Sequence, residues 1–241
     1  YWLLDWTAFH LADMVLFDTY KHIEFISQEF KVKPSKMARV LAGARENIFQ
    51  SRPYERTDKN FRVLFHGTFI PSQGIEFILQ AAKKLENHQD IEFEIIGDGQ
   101  VKNEMLELAK DLDVKNVKFL GRMLPPELVS HISQADVCLG LFGQADKIKR
   151  VIPTKVYECA TMRRPIVTGD VPAVRELFGD EDIFFVNIAD ADDLAKGIME
   201  LKNNPERREK LSENAYRVFK KEASTAIIGK GLKAIMTSLQ E

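Results

Sequence analysis

The sequence has only two cysteines, Cys138 and Cys159, and both lie in apolar stretches without the spacing of metal ligands. This scarcity argues against a disulfide-stapled scaffold and is typical of proteins from a reducing compartment. Neither sign of charge is in excess, since the net charge at pH 7 is only −2. Without a basic field, the sequence predicts no nucleic-acid partner.

Long apolar runs are also absent. No stretch of about 18 apolar residues occurs, so the sequence predicts no membrane-spanning helix. No signal peptide is recognisable, and these absences together predict a cytoplasmic protein, with peripheral association at the inner face of a membrane left open. The chain begins at YWLLDW without an initiator Met, which indicates a fragment of a longer protein.

What the sequence does contain is an alternation of short β-rich runs and amphipathic helical segments. Six apolar runs are predicted as strands: 62–66, 91–97, 117–121, 137–141, 165–169 and 183–187. Helical periodicity separates them and continues to the end of the chain after residue 190. Apolar strands that alternate with helices favour a parallel sheet covered on both faces, the doubly wound α/β class.

The first 50 residues repeat this pattern on a smaller scale. HLADMVLFD at 10–18 resembles SQADVCLGL at 133–141, because both predict a helix, an Ala-Asp turn and a buried strand. The polar segment QSRPYERTDKN has the composition of a linker. We therefore predict four parts: an incomplete α/β lobe (1–50), a linker (51–60), a complete α/β domain (61–204) and C-terminal helices (205–241).

Ligands of open parallel sheets bind at the carboxyl ends of the strands, so the loops there are the candidate sites. In the first loop, HGTFIPSQG, Gly67 and Gly74 flank a polar segment that opens a helix, and its free backbone N–H groups suit a phosphate. Gly97 follows the second strand, and Arg122 and Met123 follow the third. The alternative is that these glycines form plain strand-to-helix turns.

The fourth loop carries four cations within nine positions: Lys147, Lys149, Arg150 and Lys155. If a helix begins at Pro153 or Thr154, its first N–H groups and Lys155 can hold a diphosphate. Glu158, one turn further on the same face, can accept both hydroxyls of a ribose. The alternatives are a solvated cationic loop and a simple ion pair between Lys155 and Glu158.

Five segments resemble, in order and spacing, the nucleotide-binding C-terminal domain of family 4 retaining glycosyltransferases, which have the two-lobed GT-B fold: HGTFIPSQGIEFILQAAKKL, EFEIIGDGQ, VKFLGRM, QADVCLGLFG and IPTKVYECATMRRPIVTGD. The resemblance covers residues 12–220, and its most specific parts are PTKVYE, RPIVTGD and the GTFIPSQG loop. It implies that residues 1–50 end the acceptor-binding lobe. The final helices would pack back across that lobe.

The resemblance implies transfer of a sugar, with retention at the anomeric carbon, from a UDP- or GDP-linked donor. It implies no metal or other cofactor, because helix N-termini and basic side chains meet the charge of the leaving group. The expected enzyme is a hexosyltransferase of polysaccharide or glycoconjugate synthesis whose sugar or lipid-linked acceptor is bound by the other lobe. The fragment itself is expected to be inactive.

The family pattern has two glutamates with seven residues between them. Glu158 matches the second, whose implied role is to bind the ribose, whereas Arg150 stands in place of the first. The family often places an Arg and a Lys in the first loop, where this chain has Thr68 and Gln73. Two cations are thus lost there and cations are gained in the fourth loop. We therefore predict that Arg150, with its bidentate fork, and Lys155 grip the diphosphate from the opposite side.

The predicted site therefore consists of the catalytic pair Glu158 and Arg150 and a set of donor contacts: Gly67, Thr68, Gln73, Gly74, Gly97, Arg122, Met123, Thr154, Lys155 and again Glu158. No metal ligand is predicted. The Asp-x-Asp within ADADD precedes a helix, so Asp190 or Asp192 is expected to be its N-cap. His66 ends the first strand of the domain and could approach the donor, but we expect a structural role.

Two other functions stay open. As a fragment, the chain could be a nucleotide-sugar-binding module without transferase activity, or it could come from a sugar epimerase or phosphorylase with the same fold. A dinucleotide-dependent oxidoreductase is disfavoured, because no GxGxxG follows the first strand.

Overall fold

The structure, a computed structural model, describes residues 1–51 and 59–239 of the 241. Its N-terminal segment forms α1 (Trp2–Leu11), β1 (Val15–Phe17), α2 (Tyr20–Phe30) and β2 (Met37–Arg39). The two strands pair in parallel and pack with α2 around a small apolar cluster. Thr19 caps α2, because its hydroxyl accepts the N–H of His22 at 3.0 Å. The segment thus has the strand–helix–strand pattern that the sequence predicts.

The main sheet is built from six parallel strands: β3 (Phe61–His66), β4 (Ile91–Ile96), β5 (Val117–Gly121), β6 (Val137–Leu139), β7 (Ile166–Gly169) and β8 (Phe184–Val186). Their order across the sheet is β5-β4-β3-β6-β7-β8. Every pairing is parallel. This arrangement confirms the predicted doubly wound α/β class.

Helices cover both faces of this sheet: α3 (Ile75–Lys84), α4 (Lys102–Asp111), α5 (Pro125–Gln134), α6 (Thr154–Thr161), α7 (Pro172–Arg175), α8 (Ala191–Asn203) and α9 (Pro205–Val218). Strand side chains alternate between two cores, so that Val63 and Phe65 lie in one and Leu64 in the other. The first core is closed by α3, α4 and α8, and the second by α5, α6 and α7.

The C-terminal helices belong to this domain and also contact the N-terminal segment. α9 buries Leu211 and Ala215, and a π-helical turn, Phe219–Ala223, leads into α10 (Thr225–Ser238). Glu46 accepts the backbone N–H of Thr225 at 2.7 Å and the ammonium of Lys220 at 2.9 Å. The helices therefore return to the N-terminal segment, as the resemblance implies. The predicted linker falls largely outside the described residues, so the domain limits stay a prediction.

The order of the sheet reverses between β3 and β6, and their carboxyl ends therefore border a crevice. The predicted strand 137–141 is shorter in the structure and ends at Leu139. One reason is that the carbonyl of Gly140 accepts a hydrogen bond from Lys155, at 3.1 Å, in the crevice. Among the residues that the structure describes, no helix combines the length and apolarity needed to cross a membrane.

Candidate functional site

Two cavities adjoin at the carboxyl edge of the main sheet. The first, about 560 Å³, is lined by residues that follow β3, β4 and β5, among them Gly97, Asp98, Arg122 and Met123. The second, about 410 Å³, lies between the first loop and α6 and is lined by Gln73, Lys147, Thr154, Lys155 and Glu158, among others. Because His66, Gly67 and Thr68 line both, the cavities form one cleft.

Nine of the predicted site residues line this cleft: Gly67, Thr68, Gln73, Gly97, Arg122, Met123, Thr154, Lys155 and Glu158. Gly74 instead opens α3 with φ +69°, where an added Cβ would overlap the backbone of Gly143. Gly74 thus shapes the first loop without facing the cavities. The remaining predicted residue, Arg150, also lies elsewhere.

Lys155 reaches from the first turn of α6 into the first loop. Its Nζ donates to Oε1 of Gln73 at 2.7 Å and to the carbonyl of Gly140 at 3.1 Å. The same atom lies 3.6 Å from the ring centroid of Phe65. Burial lowers the pKa of the ammonium to about 7, although Cys159 and Glu158 oppose the shift. An anionic ligand would therefore stabilise the protonated form.

Glu158 is held by a histidine. Its Oε2 lies 2.9 Å from Nε2 of His66 at the end of β3. The ion pair with Lys155 that the sequence left open does not form, because Lys155 bonds to Gln73 and Gly140 instead. Sequence analysis assigned His66 a structural role and missed this contact. The sequence feature that points to a role in the site is the place of His66 beside Gly67, at the carboxyl end of the first strand of the domain.

The N-terminus of α6 borders the second cavity. The helix begins at Thr154 with Pro153 as its N-cap, which confirms the predicted start. The first N–H groups of a helix have no carbonyl partner within it and carry a partial positive charge. Thr154 and Lys155 therefore bring both helix-terminal N–H groups and a side-chain cation to the cleft.

Arg150 does not face the cleft, contrary to its predicted role. Its guanidinium carbon lies 3.7 Å from the ring centroid of Phe25 on α2, and Nη1 donates to Asp146 at 2.6 Å. Its backbone carbonyl accepts the hydroxyl of Thr19. The ring of Phe25 in the N-terminal segment and the carboxylate of Asp146 in the same loop thus engage the guanidinium, which does not line either cavity.

The acidic segment before α8 is a helix cap, as predicted. Oδ1 of Asp190 accepts the N–H of Asp193 at 2.9 Å, which satisfies one of the first donors of the helix. Within residues 1–51 and 59–239, no group of three or more His, Cys, Asp or Glu side chains is arranged to hold a metal ion.

A family model described as "Glycosyl transferases group 1" matches residues 46–218. The chain belongs to this glycosyltransferase family. The match includes the whole of the cleft, from the first loop to α6. The family identified by resemblance from the sequence motifs is thereby confirmed.

This group 1 glycosyltransferase also matches curated proteins. It is 30% identical over 156 residues to an alpha-D-kanosaminyltransferase of Streptomyces kanamyceticus, a match that covers 64% of this chain and 39% of the relative. It is 22% identical over 192 residues to a GDP-mannose-dependent monoacylated alpha-(1-6)-phosphatidylinositol monomannoside mannosyltransferase of Corynebacterium glutamicum, with 76% and 48% covered. The chain thus spans less than half of either relative.

Among solved structures, the glycosyltransferase chain is similar to Anabaena Alr3699/HepE in complex with UDP. The TM-score is 0.82 at 16% identity, and the match covers 96% of this chain and 65% of the other. Because the identity is low, the likeness establishes the fold, which is that of GT-B glycosyltransferases.

Proposed function

We propose that this chain is the donor-binding part of a retaining glycosyltransferase and that its cleft binds a nucleoside-diphosphate sugar. The observation that carries the proposal is the continuity of the two cavities through His66, Gly67 and Thr68. Glu158 contacts His66 at this junction, and Lys155 lines the second cavity next to Gly67. A nucleoside diphosphate needs three adjoining regions of this kind: a cavity for the base, a hydrogen-bond acceptor for the ribose and a cationic cavity for the diphosphate.

In this proposal the base occupies the first cavity, next to Arg122 and Met123. The ribose lies at the junction, where the carboxylate of Glu158 accepts its hydroxyls. The diphosphate lies in the second cavity between the first loop and the start of α6. Negative charge that develops on the departing diphosphate is then met by helix N–H groups and the ammonium of Lys155, without a metal.

Retention at the anomeric carbon and transfer of a hexose are part of the proposal and rest on the PTKVYE and RPIVTGD motifs. A role in polysaccharide or glycoconjugate synthesis in the cytoplasm is also part of the proposal, and this role rests on analogy with the family alone. The acceptor would bind to the lobe that residues 1–50 end. Since the chain spans less than half of its curated relatives, we expect it to bind the donor without transferring the sugar by itself.

Whether the nucleotide carries uracil or guanine is the question for a titration experiment. The Anabaena structure is a complex with UDP, whereas the Corynebacterium relative is named for GDP-mannose. We would titrate the chain calorimetrically with UDP and with GDP, and repeat both titrations with Glu158→Gln. The expected result is that one nucleotide binds and that the variant binds it about 1.5–3 kcal/mol more weakly, because a charged hydrogen bond is lost.

Glu104→Gln is the matched control, since it makes the same change on the exposed surface of α4. Its affinity should equal that of the wild type. If neither nucleotide binds the wild type, or if Glu158→Gln binds as well as the control, the proposed function is wrong.

A further inference from the structure

His66 occupies an unusual position for a buried histidine. It ends β3 at the place where the two cavities join, lines both, and is only 4% exposed. Its Nε2 lies 2.9 Å from Oε2 of Glu158. Its Nδ1 is buried and has no hydrogen-bond partner among the described residues. One ring nitrogen therefore faces a carboxylate oxygen, whereas the other faces no hydrogen-bonding group among the described residues.

This contrast determines which nitrogen carries the proton. A proton on Nδ1 would be a buried donor without an acceptor, which is unfavourable. A proton on Nε2 is donated to the carboxylate of Glu158, which is a favourable charge-assisted hydrogen bond. A doubly protonated ring would also carry a proton on Nδ1, so it is unfavourable for the same reason. Burial also lowers the pKa of His66, and the Lys155 ammonium acts in the same direction, against the effect of Glu158.

The hydrogen bond from His66 fixes the orientation of Glu158. Because Oε2 accepts from the imidazole, Oε1 is the oxygen whose acceptor positions are both left for a ligand. Within the described part of the chain, no other side-chain hydrogen bond restrains this carboxylate. The terminal torsion of a glutamate is broad, and without His66 the carboxylate could rotate freely.

We propose that His66 is a positioning residue: its Nε2–H holds the Glu158 carboxylate in the orientation that presents Oε1 to the ribose of the donor. The inference rests on the proposed function, because it requires Glu158 to bind the ribose. It adds that recognition of the sugar depends on a residue of β3 as well as on α6. A histidine that only fills the end of a strand would have no such effect.

Two amide variants separate these roles. In His66→Gln, the side-chain N–H reaches the place of Nε2 and can still donate to Glu158. In His66→Asn the side chain is shorter, so the amide reaches only the place of Nδ1. Both variants replace the ring with a neutral amide in the same buried site, which makes each the control for the other. Thermal unfolding of both would show that they fold.

The readout is ribose recognition. The affinities for UDP and 2′-deoxy-UDP, and for GDP and 2′-deoxy-GDP, would be measured for wild type, the two His66 variants and Glu158→Gln. We expect the wild type to favour the ribonucleotide by roughly 10-fold or more. His66→Gln should retain this preference. His66→Asn should lose most of it and resemble Glu158→Gln.

A second measurement needs no substitution in the protein under test. Two-bond ¹H–¹⁵N correlation spectra of histidine-labelled wild type report the tautomer of each of the five histidines, and the His66→Gln spectrum assigns the signal. We expect a neutral ring protonated on Nε2 at pH 7. A ring without a proton on Nε2 would overturn the inference.

Each nucleotide outcome is also decisive. If the wild type binds neither diphosphate, the proposed function fails and this inference fails with it. If it binds one without favouring the ribonucleotide, nucleotide binding stands and the role of His66 is refuted. Full ribose preference in His66→Asn would likewise show that His66 does not position Glu158.

Discussion

The ammonium of Lys155 lies 2.7 Å from the side-chain oxygen of Gln73, and this contact brings a positive charge to the first loop. By resemblance, the family often has a Lys where this chain has Gln73. Here the cation arrives from α6, across the crevice. Gly67 permits the approach, because a Cβ at this position would lie only 3.0 Å from Nζ. The first loop and α6 thus meet at one surface of the cleft, where Lys155 supplies the cation.

We predict that nucleoside-diphosphate binding takes up a proton above pH 7. Burial lowers the pKa of Lys155 to about 7 in the free protein, and a bound diphosphate would raise it again. Above pH 7 the free protein has therefore lost a proton that the complex regains, and affinity should fall by up to about tenfold per pH unit. Calorimetry at pH 8, in two buffers with different ionisation enthalpies, measures this uptake.

Lys155→Met is the control for this experiment, because it keeps the length of the side chain and removes the titrating group. Any proton exchange of the nucleotide itself would be the same in both proteins. The wild type should take up close to one proton more than the variant at pH 8. Equal uptake by the two proteins would show that Lys155 does not bind the diphosphate.

The same substitution predicts a pH-dependent change in stability. The unfolded chain holds the proton of Lys155 up to its ordinary pKa of 10.5, whereas the folded chain releases it near 7. Between these values the unfolded state binds more protons, so the free energy of unfolding of the wild type rises with pH. Relative to Lys155→Met, it should gain at most roughly 4 kcal/mol from pH 7 to pH 10.

Urea unfolding of both proteins at pH 7, 8.5 and 10 measures this difference. Lys155→Met removes the cost of a buried charge but leaves Gln73 and Gly140 without their donor, so the absolute difference at one pH is less informative than its trend. A difference that stays constant from pH 7 to pH 10 would contradict the prediction.

The sequence was sufficient for the parts of the fold that depend on local patterns. Apolar runs separated by segments of helical periodicity placed all six strands of the main sheet, because buried parallel strands are apolar on both faces. The start of α6 at Thr154 was equally predictable from local sequence. The ring of Pro153 would clash with a preceding helical turn, so the helix cannot extend further toward the N-terminus. The ends of the strands are less predictable from local sequence. The carbonyl of Gly140, for example, accepts a hydrogen bond from a side chain of a later helix.

Side-chain partners in the site could not be obtained in this way. His66 and Glu158 are 92 positions apart, and their pairing depends on how β3 and α6 meet at the crevice. Arg150 and Phe25 are further apart still, and no local pattern indicates that a cation in a basic loop will stack on a ring of α2. The sequence predicted that both Arg150 and Lys155 would face the first loop, whereas the structure brings only Lys155 there.

We therefore predict that Arg150→Ala leaves the affinity for the bound nucleotide diphosphate within about twofold of the wild type, because its guanidinium contacts Phe25 and Asp146 outside the cleft. It should instead lower stability by roughly 1–2 kcal/mol through the lost stacking. Lys147→Ala removes one charge from the same loop but lines the second cavity, so it should weaken binding more. Calorimetry and urea unfolding of both variants measure this contrast. If Arg150→Ala weakens binding as much as Lys147→Ala, Arg150 grips the diphosphate after all.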